Sequence, residues 1–420
     1  MNRKSETPPG RRALQALNFF MADMQAGVGP FLGVFLLAHG WQSGWIGSVM
    51  TIGGVAGVLM TAPAGAWVDS SHHKRWLVAI PGLCTMFASA VILLSQSFWP
   101  VALSQVATAI AGAAIGPAVA GITLGMFRQS QFNRQNGVNQ AYNHAGNAVG
   151  AGLSGLLGWK FGLPAVFFLA VIFAIASIVA VFSIPRHSID DRVARGLGSQ
   201  RDSDQEVRGL AFLLRCKPLL VLAACLALFH LGNAAMLPLY GLAVVAAKEG
   251  NPSAFVAATI VVAQATMVLT ALIAMRMSQK RGLWLVMLIS FAALPIRGLI
   301  AAYVIKSWGV FPVQILDGIG AGLQSVAAPA LVARILNGTG RVNVGQGAVM
   351  TVQGVGASLS PAIGGWLAQW HGYGPAFLIL GAFALGSVVI WALFASTLRP
   401  ACSNSAVVAA DPTQLVPDST

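Results

Sequence analysis

The sequence predicts an all-α, polytopic membrane protein with twelve transmembrane helices in two pseudo-symmetric six-helix halves. Three observations carry this prediction: very few charged residues, twelve apolar stretches of bilayer-spanning length, and an internal repeat. Charged residues make up 9% of the 420 residues and hydrophobic residues 56%. Soluble proteins carry roughly 25% charged residues. So few polar groups cannot cover the surface of a soluble protein of this length.

The apolar stretches set the predicted helices, because a hydrocarbon core about 30 Å thick requires about 20 residues of helix. Such stretches fall at 13–38, 44–67, 76–96, 100–126, 140–159, 165–185, 217–245, 254–275, 283–304, 310–334, 348–369 and 375–397. The longest polar connection, 186–216, separates the predicted halves 13–185 and 217–397. Two terminal tails remain, 1–12 and 398–420.

The basic residues predict the orientation of the chain. With the N-terminus in the cytoplasm, 21 of the 25 Lys and Arg residues fall on the cytoplasmic face, as the positive-inside rule requires. We therefore predict a multi-pass cell-membrane protein, in a bacterial inner membrane, with both termini cytoplasmic. The formal net charge of +13 then reflects topology and contact with lipid headgroups, and no nucleic-acid partner is expected.

An internal repeat relates the two halves. Gly146-x-x-x-Gly150 in the fifth stretch matches Gly356-x-x-x-Ser360 in the eleventh at an offset of 210 residues. Other matches, at offsets of 208 and 209, pair Ala26 with Ala234, Pro30 with Pro238, and Gln105 with Gln314. Parallel repeats of six helices are typical of secondary transporters, whose substrate site lies between the halves near the middle of the membrane.

Two motifs resemble those of the major facilitator superfamily, over about residues 13–397. The loop after the second stretch, Gly65-Ala-Trp-Val-Asp69-Ser-Ser-His-His-Lys74-Arg75, is similar to that family's first cytoplasmic signature, G-x-x-x-D-R-x-G-R-[RK]. The eleventh stretch resembles its G-x-x-x-G-P-x-x-G-G element. Gln105 and Thr108 depart from the family, since proton-coupled members carry arginine and glutamine there.

The resemblance implies a gate between the halves. It assigns Asp69 to the cytoplasmic gate, where a carboxylate can cap the positive end of a helix from the other half. A solvated loop charge is the alternative for this residue. The residues that we expect to take part in gating are Gly65, Asp69, Lys74, Arg75, Gly356, Pro361, Gly364 and Gly365.

Ionisable residues within the bilayer are functional candidates, because burying a charge there is costly. Asp23 and His230 lie near the middle of the first and seventh stretches. Asp23 either lines the cavity or contacts a neighbouring helix, where His144 or Asn147 of the fifth stretch could receive it. A backbone carbonyl is the alternative partner of His230. The predicted substrate and proton pathway comprises Asn18, Asp23, Gln25, His144, His230, Asn233, Gln314 and Asp317.

Arg297 and Asp317 are predicted to form an ion pair. Both lie about 10 Å below the outer surface, at 1.5 Å per residue, on adjacent antiparallel helices. Pairing lowers the cost of burying each charge. A role of Asp317 in proton coupling is the alternative interpretation.

These features predict a monomeric secondary active transporter for a small organic solute, working by alternating access. Few fixed charges favour proton-coupled efflux of a drug-like or metabolite substrate. The alternatives are proton-coupled uptake by symport, divalent-metal export with Asp23 and His230 as ligands, and an enzyme or a non-transporting receptor. The sequence has no phosphate-binding loop, and we expect neither an enzyme activity, nor a cofactor, nor a resident metal.

Overall fold

The computed structural model describes residues 8–26, 28–194, 213–249, 251–336 and 342–402, and no strand occurs in these ranges. The helices are α1 (Arg11–Ala26), α2 (Val28–Ala38), α3 (Ser43–Ser70), α4 (Lys74–Leu94), α5 (Phe98–Gly112), α6 (Ile115–Phe161), α7 (Pro164–Phe182), α8 (Asp191–Ala194), α9 (Lys217–Asn233), α10 (Met236–Ala246), α11 (Pro252–Arg281), α12 (Leu283–Tyr303), α13 (Val310–Ile335), α14 (Val342–His371), α15 (Tyr373–Leu393) and α16 (Ala395–Cys402). Short 3-10 turns cover Arg186–Ser188 and Ser307–Gly309.

The helices coincide with the twelve predicted stretches. Within the described ranges, nine helical segments are long and apolar enough to cross a membrane. The other three stretches coincide with the pair α1 and α2, the latter part of α6, and α14. The latter part of α6 and α14 are rich in Asn, Gln and Gly, which lowers their hydropathy. Many large apolar side chains are exposed on the helices, as expected for surfaces that face lipid.

The prediction of a loop between the fourth and fifth stretches is wrong, because α6 remains helical through these residues. The helix nevertheless reverses direction. Asn139 Nδ2 donates to Thr123 Oγ1 at 2.9 Å, whereas sixteen residues of straight helix would separate the two positions by about 24 Å. The two ends of α6 are therefore antiparallel arms. We call 115–127 the first arm and 135–161 the second arm.

Two predicted stretches are broken, and each break lies four residues before a proline. Helix α5 is capped by Ala113 ahead of Pro117, and α9 is capped by Ala234 ahead of Pro238. A proline has no N–H to donate, and its ring clashes with the carbonyl four residues earlier. The prediction of single helices at 100–126 and 217–245 is therefore wrong.

Two other boundaries differ from the prediction. Helix α3 continues to Ser70, so Asp69 belongs to its last turn and not to the loop in which the motif comparison put it. The connection to α4 is reduced to Ser71–His73. At the other end of the chain, the first residues of the predicted tail belong to α16, which continues to Cys402.

The chain forms two compact units. The first comprises 1–202 and 250–261, and the second 203–249 and 262–420. Leu14, Leu17, Leu77, Ile122 and Val181 belong to the apolar core of the first unit. In the second unit, the rings of Phe229, Phe291 and Trp391 form a chain with centroid distances of 5.9 and 5.4 Å.

The internal repeat reappears as equivalent contacts inside each unit. A Cβ on Gly146 would collide with the carbonyl oxygen of Phe19, and a Cβ on Gly356 with that of Ala227. Phe19 and Ala227 are themselves 208 residues apart. The fifth and eleventh stretches therefore pack on the first and seventh through a backbone contact that only glycine permits.

Candidate functional site: a buried polar cluster in the second unit

Six polar side chains meet inside the second unit, and we call them the polar cluster. They are His230 and Asn233 on α9, Arg297 on α12, and Gln314, Asp317 and Gln324 on α13. Arg297 lies six residues before the end of α12, and Asp317 lies seven residues into α13. At 1.5 Å per residue, both are about 10 Å from the helix ends.

The Arg297 guanidinium is the centre of the cluster. Its Nη1 donates to Asp317 Oδ1 at 2.8 Å and to Asn233 Oδ1 at 2.5 Å, and its Nη2 donates to Gln314 Oε1 at 3.3 Å. The Arg297 side chain is 0% exposed and that of Asp317 is 9% exposed. The ion pair proposed from the sequence is therefore present, and two amide oxygens share the guanidinium with the carboxylate.

His230 extends the cluster along α9. It is hydrogen-bonded to the Gln324 side chain and lies within electrostatic range of Asp317. Gln324 was not among the residues predicted from the sequence, although its spacing on α13 is a usable signal. Gln314, Asp317 and Gln324 are separated by three and seven residues, a spacing that keeps them on one face of a helix.

Three buried nitrogens of the cluster have no hydrogen-bond partner among the described residues: Arg297 Nε, Gln314 Nε2 and Gln324 Nε2. A buried donor without a partner costs about 1–3 kcal/mol. Such donors are the groups that a bound water, or a solute with acceptor oxygens or nitrogens, would satisfy. The cluster therefore offers hydrogen-bond donors, one guanidinium and one carboxylate to a ligand.

The ion pair has no counterpart in the first unit. At the repeat offset of 209 residues, Gln105 corresponds to Gln314, but Arg297 corresponds to Ala88 and Asp317 to Thr108. The Thr108 hydroxyl donates to the Ser104 carbonyl of its own helix at 2.8 Å. The charge of the site is thus confined to one of two related units.

The pathway residues predicted in the first unit are only partly described. Asn18 is buried, and its Nδ2 donates to the Leu14 carbonyl, one turn earlier in α1, at 2.8 Å. His144 is half-buried on the second arm of α6. The side chains of Asp23 and Gln25 lie outside the described part of the chain, so the predicted contact of Asp23 with His144 stays a prediction.

The predicted gating residues of the first unit lie around the junction of α3 and α4. Lys74 is buried, and its Nζ donates to the Ser71 carbonyl at 2.9 Å. Arg75 Nη1 donates to the Ile184 carbonyl at 3.0 Å, just past the end of α7. A Cβ on Gly65 would meet nothing within 4 Å. The Asp69 side chain lies outside the described residues.

The predicted gating residues of the second unit lie on α14. Gly356 contacts the Ala227 backbone, and a Cβ on Gly364 would lie 2.8 Å from Ala235 Cβ. Pro361 and Gly365 are in the same helix, which is not interrupted there. All four residues therefore belong to α14, whose glycines bring it close to α9 and to the α9–α10 break.

Metal ligands do not gather anywhere in the described residues, where no group of three or more His, Cys, Asp or Glu side chains occurs. His230 has the Gln324 amide as its side-chain partner. The other ligand suggested from the sequence, the Asp23 carboxylate, is outside the described side chains. No described constellation therefore favours metal export.

Comparison with known proteins gives a consistent result. The sequence model of the Major Facilitator Superfamily matches residues 14–296 and 242–417. Two uncharacterised MFS-type transporters, from Mycobacterium tuberculosis strains CDC 1551 and H37Rv, are each 36% identical over 379 residues, covering 90% of this chain and 91% of their own.

Solved structures share the fold. The crystal structure of the nucleoside transporter NupG matches with a TM-score of 0.74 and 14% identity, covering 91% of this chain and 98% of that chain. A bacterial homologue of the human lysosomal transporter Spinster, inward-facing and occupied, matches with a TM-score of 0.67, 14% identity, and coverage of 94% and 97%. The chain described here belongs to the Major Facilitator Superfamily and is a multi-pass membrane transporter that acts on small molecules.

Proposed function

We propose that this transporter is proton-coupled and exports a small, neutral or weakly charged organic solute, with the polar cluster as its binding and coupling site. The buried Arg297–Asp317 pair is the observation that carries the proposal. An ionisable carboxylate within the bilayer is rare and costly. The Asp317 carboxylate contacts the Arg297 guanidinium, which Asn233 and Gln314 also contact. Protonation of Asp317 would therefore change the net charge of the polar cluster.

The coupling that we propose follows from charge balance. With Asp317 ionised, its negative charge offsets the positive charge of Arg297. Protonation of Asp317 leaves Arg297 as an uncompensated cation held by Asn233 and Gln314. An uncompensated buried charge is unfavourable, so the two protonation states stabilise different arrangements of the cluster.

The direction of coupling depends on which partner the substrate takes. A substrate that donates hydrogen bonds to the Asp317 carboxylate competes with the proton, as antiport requires, so its dissociation constant should rise as pH falls. A substrate that accepts hydrogen bonds from Arg297 displaces the carboxylate and favours its protonation, as symport requires. Its dissociation constant should then fall as pH falls. We propose the first case, antiport. Uptake by symport is the second candidate, because Arg297 Nη1 is shared between Asp317 and Asn233, and a substrate oxygen could replace the carboxylate there.

The proposal is tested in two steps. A counterflow screen in proteoliposomes, with labelled metabolites and drug-like compounds, identifies a substrate. Its binding is then titrated calorimetrically at several pH values with the wild-type protein and with Asp317→Asn. Export by antiport requires affinity that weakens at low pH in the wild type and is independent of pH in the variant. Binding that shows no pH dependence in the wild type, or the same dependence in both proteins, excludes coupling through Asp317.

Several finer features belong to the same proposal. We propose that Asp23 contributes to the pathway, that Asp69 closes the cytoplasmic gate, and that the protein works as a monomer in a bacterial inner membrane with both termini in the cytoplasm. Asp23→Asn should abolish gradient-driven transport in proteoliposomes while counterflow continues. Full gradient-driven activity in that variant would remove Asp23 from the coupling mechanism.

A further inference from the structure

A basic cleft lies at one end of the first unit. It is lined by residues of the α3–α4 junction, the start of α4 and the segment after α7: His72, His73, Arg75, Trp76, Arg186 and Asp191. The cavity is about 80 Å³. A buried water needs about 10–15 Å³ on this measure, so the cleft has room for the four oxygens of a phosphate group.

The charge of the cleft is positive. Lys74, Arg75 and Arg186 contribute three cations, against one carboxylate among the described lining residues, that of Asp191. That carboxylate lies 3.5 Å from His72 Nδ1. The cleft is therefore complementary to an anion and not to a metal cation.

The rim of the cleft is aromatic. Trp76 is 51% exposed, and its ring meets that of Phe182 edge-on at a centroid distance of 4.9 Å. The Arg75 guanidinium lies over the Phe182 ring, 5.7 Å from its centroid. Tryptophan is enriched where membrane spans meet water, and the cleft lies where α3 and α7 end and α4 begins.

An apolar stripe leads from the cleft along α4. Trp76, Ile80, Leu83 and Phe87 are all exposed, and their spacing of four, three and four residues puts them on one helix face. The stripe is about 16 Å long at 1.5 Å per residue. One leaflet of the hydrocarbon core is about 15 Å thick, so the stripe matches the depth of an acyl chain.

We propose that this cleft binds an anionic phospholipid, with the phosphate between Arg75, Arg186 and the histidines and an acyl chain along the stripe from Trp76 to Phe87. Basic pockets at the ends of membrane helices bind phospholipid headgroups through charge. The stripe distinguishes a lipid from free phosphate, because inorganic phosphate has no apolar part to cover it. The cleft shares Lys74 and Arg75 with the residues expected to take part in gating, and it contains none of the residues of the polar cluster.

The test uses the full-length protein purified in detergent. Phosphatidylglycerol, phosphatidylcholine and inorganic phosphate are titrated separately, with the thermal midpoint and the lipid retained in native mass spectrometry as readouts. Arg186→Gln removes an exposed cation of the cleft, and His73→Gln is the second cleft variant should the first not purify. Lys280→Gln is the matched control, since Lys280 is an exposed cation at the end of α11 in the second unit.

Phosphatidylglycerol should stabilise the wild type and Lys280→Gln equally. Its apparent affinity should fall about fivefold in Arg186→Gln, which corresponds to ~1 kcal/mol for one basic residue near a membrane surface. Brominated phosphatidylglycerol should quench fluorescence less in Trp76→Phe than in the wild type. Equal responses in the cleft and control variants, equal responses to phosphatidylcholine, or full stabilisation by inorganic phosphate alone would each overturn the proposal.

Discussion

Arg297 is a fully buried cation whose guanidinium is shared among one carboxylate and two amide oxygens. In a low-dielectric interior, the interaction between such groups offsets part of the cost of removing them from water, but only while every partner is present. The polar cluster is therefore sensitive to single changes. This sensitivity is what a site needs if the loss or gain of one proton is to alter its arrangement.

The first prediction concerns the stability of this pair. Asp317→Asn leaves Arg297 without its counter-charge and should reduce the free energy of unfolding by about 3–5 kcal/mol. Arg297→Gln should have a loss of similar size, and the double variant should lose no more than either single variant. The measurement is the unfolding midpoint of the purified proteins. Additive losses in the double variant would show that the two charges do not stabilise each other.

At the scale of secondary structure, the broken seventh stretch depends on a side chain of another helix. The Ala235 N–H, freed by the α9–α10 break, donates to Ser360 Oγ on α14 at 2.9 Å. Ser360 is the residue that departs from the glycine of the family's motif. A backbone N–H within a membrane protein needs a partner, and this hydroxyl supplies it.

Ser360→Ala should therefore destabilise the protein by about 1–3 kcal/mol, the cost of a buried donor without an acceptor. Ser387→Ala is the matched control. Ser387 is equally buried, but its hydroxyl only donates to the Ala384 carbonyl of its own helix. The measurement is the thermal unfolding midpoint of each variant, compared with that of the wild type. Equal midpoints would mean that the Ala235 N–H finds another acceptor.

The glycines of α14 provide a third prediction. Gly356→Ala would drive a methyl group into the Ala227 carbonyl, whereas Gly347→Ala, in the same helix, meets nothing within 4 Å. The first change should cost about 1–3 kcal/mol by overpacking. The second should be neutral or stabilise the helix by up to about 1 kcal/mol. Comparable melting points for the two variants would contradict the close α9–α14 contact.

At the scale of the whole molecule, the distribution of basic residues leads to a prediction about topology. Green fluorescent protein fused after Thr420 should fluoresce in a bacterial host, because it folds only in the cytoplasm. Alkaline phosphatase fused after Lys160 should be active, since that residue is predicted to lie outside. The reverse pattern would contradict the positive-inside assignment and exchange the two faces of the protein.

The sequence by itself determined the class of the protein, its helical stretches and its internal repeat, because these depend on composition and on local periodicity. The prolines that break two stretches, Pro117 and Pro238, were also visible, since each acts on the carbonyl four residues before it. Asn233, Arg297, Gln314 and Asp317 could be named as candidates, because polar residues are rare in such spans.

Only the tertiary structure decided how these residues combine. The depth of a residue follows from its helix, but the side of the helix that meets a neighbour depends on rotation and packing that one sequence does not encode locally. For this reason the sharing of Arg297 among Asp317, Asn233 and Gln314, and the pairing of His230 with Gln324, emerged only from the packed second unit. The same holds for the reversal of α6 and for the cleft formed by segments more than 100 residues apart.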